Sequence, residues 1–287
     1  MNHIKDQIHC ERAYRMGLSG KGIGVAVLDT GIFLHRDFDS RVTGFADMVN
    51  RRNFAYDDCG HGTHICGIIG GSGRMSGGRY SGIAPGCNLI MVKVLDRKGN
   101  GYSSDVLAGI SWVLERKEQL GIRILNISVG ACSKRGMSEN SALVKGVNRA
   151  WDAGLVVVVA AGNNGPRTMS ITTPGISRKV ITVGCSDDDR EVLVGGNRMV
   201  DYSGRGPTAA CICKPELVAP GCSVVSCSSR ADKYTIKSGT SMSTPIVSGA
   251  VALLLERFPD MSNKDVKLRL RESSVDIGLP RNQQGWG

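Results

Sequence analysis

Long apolar runs are missing from this chain. The longest, LVVVVAA and AVALLL, fall well short of the roughly 18 to 20 consecutive apolar residues that cross a bilayer, so no membrane role is expected. The opening residues, MNHIKDQIHCERAYRMG, lack the apolar block of a secretory signal, which leaves no export address in the written sequence. Aromatic residues are scarce at 5% of 287, and acidic residues are outnumbered, giving a formal net charge of +10. That excess invites a nucleic-acid reading, but the basic pairs Arg51-Arg52, Arg97-Lys98 and Lys134-Arg135 are scattered and no nucleic-acid motif accompanies them. A basic, solvated surface is the expectation, with no nucleic-acid partner. Cysteine is plentiful, but a repeated cysteine spacing is absent. The ten cysteines between Cys10 and Cys227 therefore read as reduced thiols, and the expected setting is cytoplasmic. Internal repeats, low-complexity tracts and linkers are also absent, and 41% hydrophobic content supports a large core, read as a single domain over 1–287.

What is present is an alternation of short apolar runs with helical patterns. IGVAVLD, NLIMVKVLD, IRILNISVG, LVVVVAAGN and VITVGC are nearly continuous in Val, Ile and Leu, the pattern of parallel strands covered on both faces. Between them, SDVLAGISWVLERKEQL and SALVKGVNRAWDAG space apolar residues three and four apart. Ser104-Asp105 and Ser141 are starts, and Gly121 and Gly154 are stops. SNKDVKLRLRESS opens with Ser262 and Asp265 in capping-box spacing. This order predicts an α/β fold with a mostly parallel sheet, and places chemistry at the carboxyl ends of its strands.

Three stretches carry that chemistry. AVLDTGI leaves Asp29 at the end of the first strand; DDCGHGTHICGIIGG puts His61 at the mouth of a small-residue helix; KSGTSMSTPIVSGAVALLLERF opens a helix with Ser241 in its first turn. Alone, the first two have bland readings, Asp as a helix cap or turn residue and His as a structural one, while the serine is a nucleophile only if a base reaches it. Zinc is disfavoured at His61 and His64, because H-x-x-H lacks both the i, i+4 geometry and the Glu of H-E-x-x-H. GKGIG precedes the first strand and so reads as a turn, not a dinucleotide loop. No serine stands in G-x-S-x-G.

Together, LDTG, GHGTH and GTSMSTP, in the order Asp, His, Ser, resemble the subtilisin-like serine peptidases, and the likeness extends through GIAPGCNLIMVKVLD, NISVG, VVAAGNNG and KPELVAPG. It looks most like the cytoplasmic subtilases of bacteria. The resemblance implies a three-layer fold with helices on both faces of the sheet, and a serine endopeptidase acting through an acyl-enzyme on Ser241. His61 is then general base and acid, Asp29 orients it, and Asn163 stands in the oxyanion hole. It also implies that an extended peptide pairs with two edges, Gly99-Asn100-Gly101 and Ser128-Val129-Gly130. Ala160-Ala161-Gly162 and the PRTMSITTPG loop then wall the specificity pocket. Two rivals share the scaffold: a transpeptidase or cyclase using an amine acceptor, and a silent binding protein.

Departures from the family follow. The 28 residues before Asp29 encode no folded inhibitory prodomain, and the sequence stops before the family's final helix, so trimming at the carboxyl end is expected. No cofactor is expected to be required. An optional structural calcium ion is not expected at the usual N-terminal-loop site, since GGSGRMSGGRYSG offers it no carboxylate or amide, although Asp37 is present. Asp187-Asp188-Asp189 reads as a solvated acidic loop, with a calcium ion held by its oxygens as the alternative. Cys59 and Cys66 flank His61 closely enough for their modification to disturb it. Cys211 and Cys213 are a weak metal or redox signal. Oligomeric state is not encoded legibly.

Overall fold

The computed structural model describes residues 1–130 and 139–287; Cys132 and the pair Lys134-Arg135 lie outside them. In chain order the described elements begin with α1 (Asn2–Gln7), α2 (Cys10–Arg15), β1 (Gly24–Asp29), β2 (Val42–Asp47), α3 (His61–Gly70), β3 (Asn88–Lys93), α4 (Ser103–Arg116) and β4 (Ile122–Ile127). There follow α5 (Ala142–Asp152), β5 (Val156–Ala160), β6 (Ile181–Cys185), β7 (Val192–Val194), β8 (Asn197–Met199), β9 (Leu217–Ala219), β10 (Val224–Cys227), β11 (Tyr234–Lys237), α6 (Thr240–Arg257), α7 (Asn263–Ser273) and α8 (Arg281–Gln284).

The chain divides into two compact units. The first comprises 1–126, 225–236 and 248–261; the second comprises 127–224, 237–247 and 262–287. In the first, the strands are ordered β2-β3-β1-β4, with β1 and β2 both parallel to β3. All six residues of β1 are buried, which explains its uninterrupted apolar sequence. Its register sets Asp29 opposite Lys93 at the carboxyl ends of the two strands. β2 was not evident from sequence. It is an edge strand, mostly half-buried, with a register shift between Val42 and Gly44, so no strong apolar signal is demanded of it.

In the second unit β5, β6 and β9 run parallel, β5 and β6 being buried throughout. The short β7 and β8 form an antiparallel pair. Ser141 caps α5 by accepting from the Val144 N–H, and Gly154 follows at φ +92°. Ser262 and Asp265 complete a reciprocal capping box at the start of α7. The predicted start of α4 is shifted by one residue, to Ser103, with Tyr102 as an N-cap that makes no side-chain bond. Its last helical residue is Arg116, and Gly121 closes the turn that follows, at φ +59°.

Candidate active site

In the first unit, β1 ends on Asp29 and α3 begins on His61. Asp29 is fully buried. His61 Nδ1 lies 2.8 Å from Asp29 Oδ1 and 3.0 Å from Oδ2, and the imidazole is about a quarter exposed. A carboxylate there makes Nδ1 the protonated nitrogen, so Nε2 of the neutral ring is left as the proton acceptor. The Thr30 N–H also donates to Asp29 Oδ1, at 2.8 Å, holding the carboxylate in place.

Glycines let these elements approach. Gly60, the N-cap of α3, has φ +89°, and a Cβ on Gly62 would lie 2.2 Å from the Gly31 carbonyl oxygen. The helix mouth is held by a residue that sequence reasoning did not single out. Asp57 accepts from the Cys59 and Gly60 N–H groups on Oδ1 (3.1 and 2.7 Å) and from the Thr63 N–H and hydroxyl on Oδ2 (2.9 and 2.6 Å). The Thr30 hydroxyl donates to Asp57 Oδ1 at 2.9 Å, and Thr30 Oγ1 in turn accepts from the Gly62 N–H. Asp57 thus caps α3 and ties it to the turn after Asp29. Its neighbour Asp58 has a different role, pairing at 2.7 Å with the buried Lys93 ammonium, which also donates to the Thr30 and Leu95 carbonyls.

In the second unit, α6 opens at Thr240, with Ser241 in its first turn. The Ser241 hydroxyl donates to the Ser128 carbonyl at 2.7 Å. Asn163 Oδ1 accepts from both the N–H and the hydroxyl of Thr240, each at 3.0 Å. Those two donors fix the amide orientation: the oxygen faces Thr240, so Nδ2 is the face left to donate. The Ser241 N–H, in the first turn of α6, has no acceptor within its own helix.

The expected wall residues of this unit converge on Thr172. A Cβ on Gly130 would lie 2.2 Å from Thr172 Oγ1, and one on Gly162 would lie 2.4 Å from Thr172 Cγ2. Thr172 belongs to the PRTMSITTPG loop, but nothing in the sequence marked it above its neighbours. Ser128, Ala160 and Ala161 are buried; Val129 and Gly162 are half-buried and Gly130 is exposed. In the first unit, Gly99, Asn100 and Gly101 are exposed on a turn that Asp96 organises by accepting from the Lys98 and Asn100 N–H groups, which lowers its carboxyl pKa.

The remaining candidates separate. His64 is fully buried, with Nε2 3.2 Å from the Thr235 carbonyl, and belongs to neither group of potential metal ligands found among the described residues. Cys66 is fully buried and its thiol is pushed well above the ordinary range, first by desolvation and then by the charges of Asp29 and Asp57; Cys59 is half-buried. Asp37 is buried, its Oδ1 accepting from the Met75 N–H and its Oδ2 from Tyr234 Oη, while the Lys5 ammonium donates to Ser81 on the adjoining loop. The acidic run is not the solvated loop expected. Asp188 is buried and accepts from the Ser203 N–H, Asp187 turns inward to the Gly221 and Cys222 N–H groups, and only Asp189 is exposed.

This chain belongs to the subtilase family, whose model matches residues 20–287. Among curated relatives it is 42% identical to "Serine protease AprX" of Bacillus subtilis (strain 168) over 285 residues, covering 93% of this chain and 64% of that protein. It is 33% identical to "Subtilisin DY" of Bacillus licheniformis, covering 94% and 90%. The chain therefore spans about two thirds of the first relative's length and most of the second's. Among solved structures, "S41 Psychrophilic Protease" matches with a TM-score of 0.77 at 30% identity, covering 93% of this chain and 91% of that one. "Sphericase" matches at 0.74 and 33%, covering 89% and 84%. The fold is thus subtilisin-like α/β, a mostly parallel sheet with helices on both faces.

Proposed function

We propose that this chain is a serine endopeptidase in which Ser241 is the nucleophile, His61 the general base and acid, Asp29 its orienting carboxylate, and Asn163 an oxyanion donor. The Asp29–His61 pair carries the reading. A serine hydroxyl is too weak a nucleophile at neutral pH without a base, and an imidazole whose Nδ1 is held by a buried carboxylate presents Nε2 to accept its proton. Attack on a peptide carbonyl turns its oxygen into an anion, for which Asn163 Nδ2 and the Ser241 N–H at the start of α6 are donors. Protonated His61 then returns the proton to the departing amine, and water repeats the sequence on the acyl-enzyme. These groups come from the chain itself, so the reaction needs no cofactor.

Substrates are extended peptides or proteins lying along 99–101 and 128–130, with backbone pairing supplying affinity and the walls at 160–162 and Thr172 supplying selectivity. A cytoplasmic setting fits the nine described cysteines, all of which carry free thiols. The decisive experiment is intact mass after a fluorophosphonate reagent. One adduct on the parent, absent from Ser241→Ala and His61→Ala, is expected; a folded parent that takes no adduct overturns the reading. Product masses from a linear peptide then distinguish hydrolysis from transfer to an amine.

A further inference from the structure

We propose that Cys185, Asp187 and Cys222 form a binding site for a soft divalent cation of the zinc class, set beside the turn that carries Ser241. The three residues come from the end of β6, the residues just after it, and the segment after β9. One ligand atom from each lies within 4.8 Å of the others. Cys185 Sγ donates to Asp187 Oδ1 at 3.1 Å, and Tyr202 Oη is 3.1 Å from each sulfur, bridging the two thiols from the buried side. Cys185 and Tyr202 are fully buried and Cys222 is 6% exposed, so this is an enclosed cluster whose open edge runs along Cys222 and half-buried Asp187.

The chemistry selects the ion. Two sulfurs and a carboxylate suit a borderline-soft cation, whereas calcium and magnesium take only oxygens. With a zinc–sulfur bond of about 2.3 Å, tetrahedral coordination puts two sulfurs about 3.8 Å apart, inside the 4.8 Å limit within which the ligand atoms lie here. Binding releases the two thiol protons, and two thiolates with one carboxylate neutralise the dication with one negative charge to spare. Tyr202 or a water completes the four ligands.

A second observation points to the same place. Ser243 is fully buried and its hydroxyl has no hydrogen-bond partner among the described residues. A Cβ built on Gly221 would meet Ser243 Oγ at 2.4 Å and Cys185 Sγ at 2.8 Å, so the orphan hydroxyl and the sulfur crowd one point. An ion or its water there gives Ser243 a partner. Ser243 lies two residues beyond Ser241, and the Gly239 N–H donates to the Gly221 carbonyl at 3.0 Å, so the segment that carries Cys222 is bonded to the turn just before α6.

The test uses reduced Ser241→Ala protein, which cannot digest itself, titrated with cadmium chloride and followed by sulfur-to-cadmium charge-transfer absorption, with zinc chloride as competitor. One saturable equivalent is expected. It persists in Cys211→Ser/Cys213→Ser and in Cys227→Ser, and disappears in Cys185→Ala/Cys222→Ala. Cys222→Ser alone, at the edge of the cluster, tests the site if the double variant does not fold; a loss of affinity of at least roughly 100-fold is expected. No saturable equivalent in the parent, or an unchanged one in either variant of the pair, overturns the proposal.

Discussion

Replacing Asp57 by alanine removes the acceptor of five hydrogen bonds. Three donors are backbone N–H groups, of Cys59, Gly60 and Thr63, and two are the hydroxyls of Thr30 and Thr63. Thr63 is fully buried, so its N–H and hydroxyl lose their acceptor without gaining water, at about 1 to 3 kcal/mol each. The lost helix cap adds about 1 kcal/mol. Asp57 itself is only half-buried, and water entering there offsets part of this, leaving a net loss of about 3 kcal/mol. On a chain of this size that lowers the thermal midpoint by roughly 5 to 10 °C. The midpoint is measured in the Ser241→Ala background. In the active enzyme kcat is expected to fall about tenfold with KM unchanged, because Asp57 positions His61 without touching substrate. Thr63→Val should cost less in an Asp57→Ala background than in the parent, since both remove the same bond. A midpoint within about 1 °C of the parent, or additive losses in the cycle, would refute the reasoning.

Other expectations follow from named contacts. Asn163→Ala should lower kcat about 100- to 1,000-fold with little change in KM, the range known for the equivalent donor in subtilisin, a relative; steady-state kinetics on a chromogenic peptide measures it. Burial lowers the Lys214 pKa to about 8, although Glu216 pairs with it at 2.6 Å. Between about 8 and the ordinary lysine value near 10.4, the unfolded chain keeps a proton that the folded one releases, so this group's contribution to stability rises with pH across that window. Thermal midpoints from pH 7.5 to about 10 should change less favourably in Lys214→Met than in the parent. A thiol reagent under native conditions should label Cys59, Cys211 and Cys213 and spare buried Cys66, so any inhibition should survive in Cys66→Ala and vanish in Cys59→Ser; peptide mapping decides.

The parts legible in the sequence were those that repeat a local rule. Continuous Val and Ile runs marked β1, β3, β5 and β6 because both their faces are covered, and Ser262 with Asp265 marked α7 because a capping box lies within four residues. Asp29, His61 and Ser241 were legible because each opens or closes an element in a recognisable motif. β2 was hidden by its half-exposed edge position. Asp57 and Asp58 are adjacent and chemically identical; their separate partners, a helix mouth and a buried lysine, are set only by folding. The same holds for Asp187 and Asp188, misread as solvent-facing because nothing local told of the N–H groups of Gly221, Cys222 and Ser203. Thr172 and the Cys185–Cys222 cluster likewise exist only as juxtapositions of distant segments.

For anyone engineering this chain, α3 is where general rules mislead. A helix of ten residues with Gly62, Gly67 and Gly70 invites alanine at each, a gain of about 1 kcal/mol apiece by propensity. Each alanine would collide: with the Gly31 carbonyl at 2.2 Å, Ser226 Oγ at 2.3 Å, and Cys87 Sγ at 2.8 Å. Gly62 is the least replaceable, since its obstacle is backbone two residues beyond Asp29 and its own neighbour is His61. Consensus-style stabilisation of this helix would therefore push the base away from its carboxylate, and thermal robustness is better sought in exposed segments away from α3.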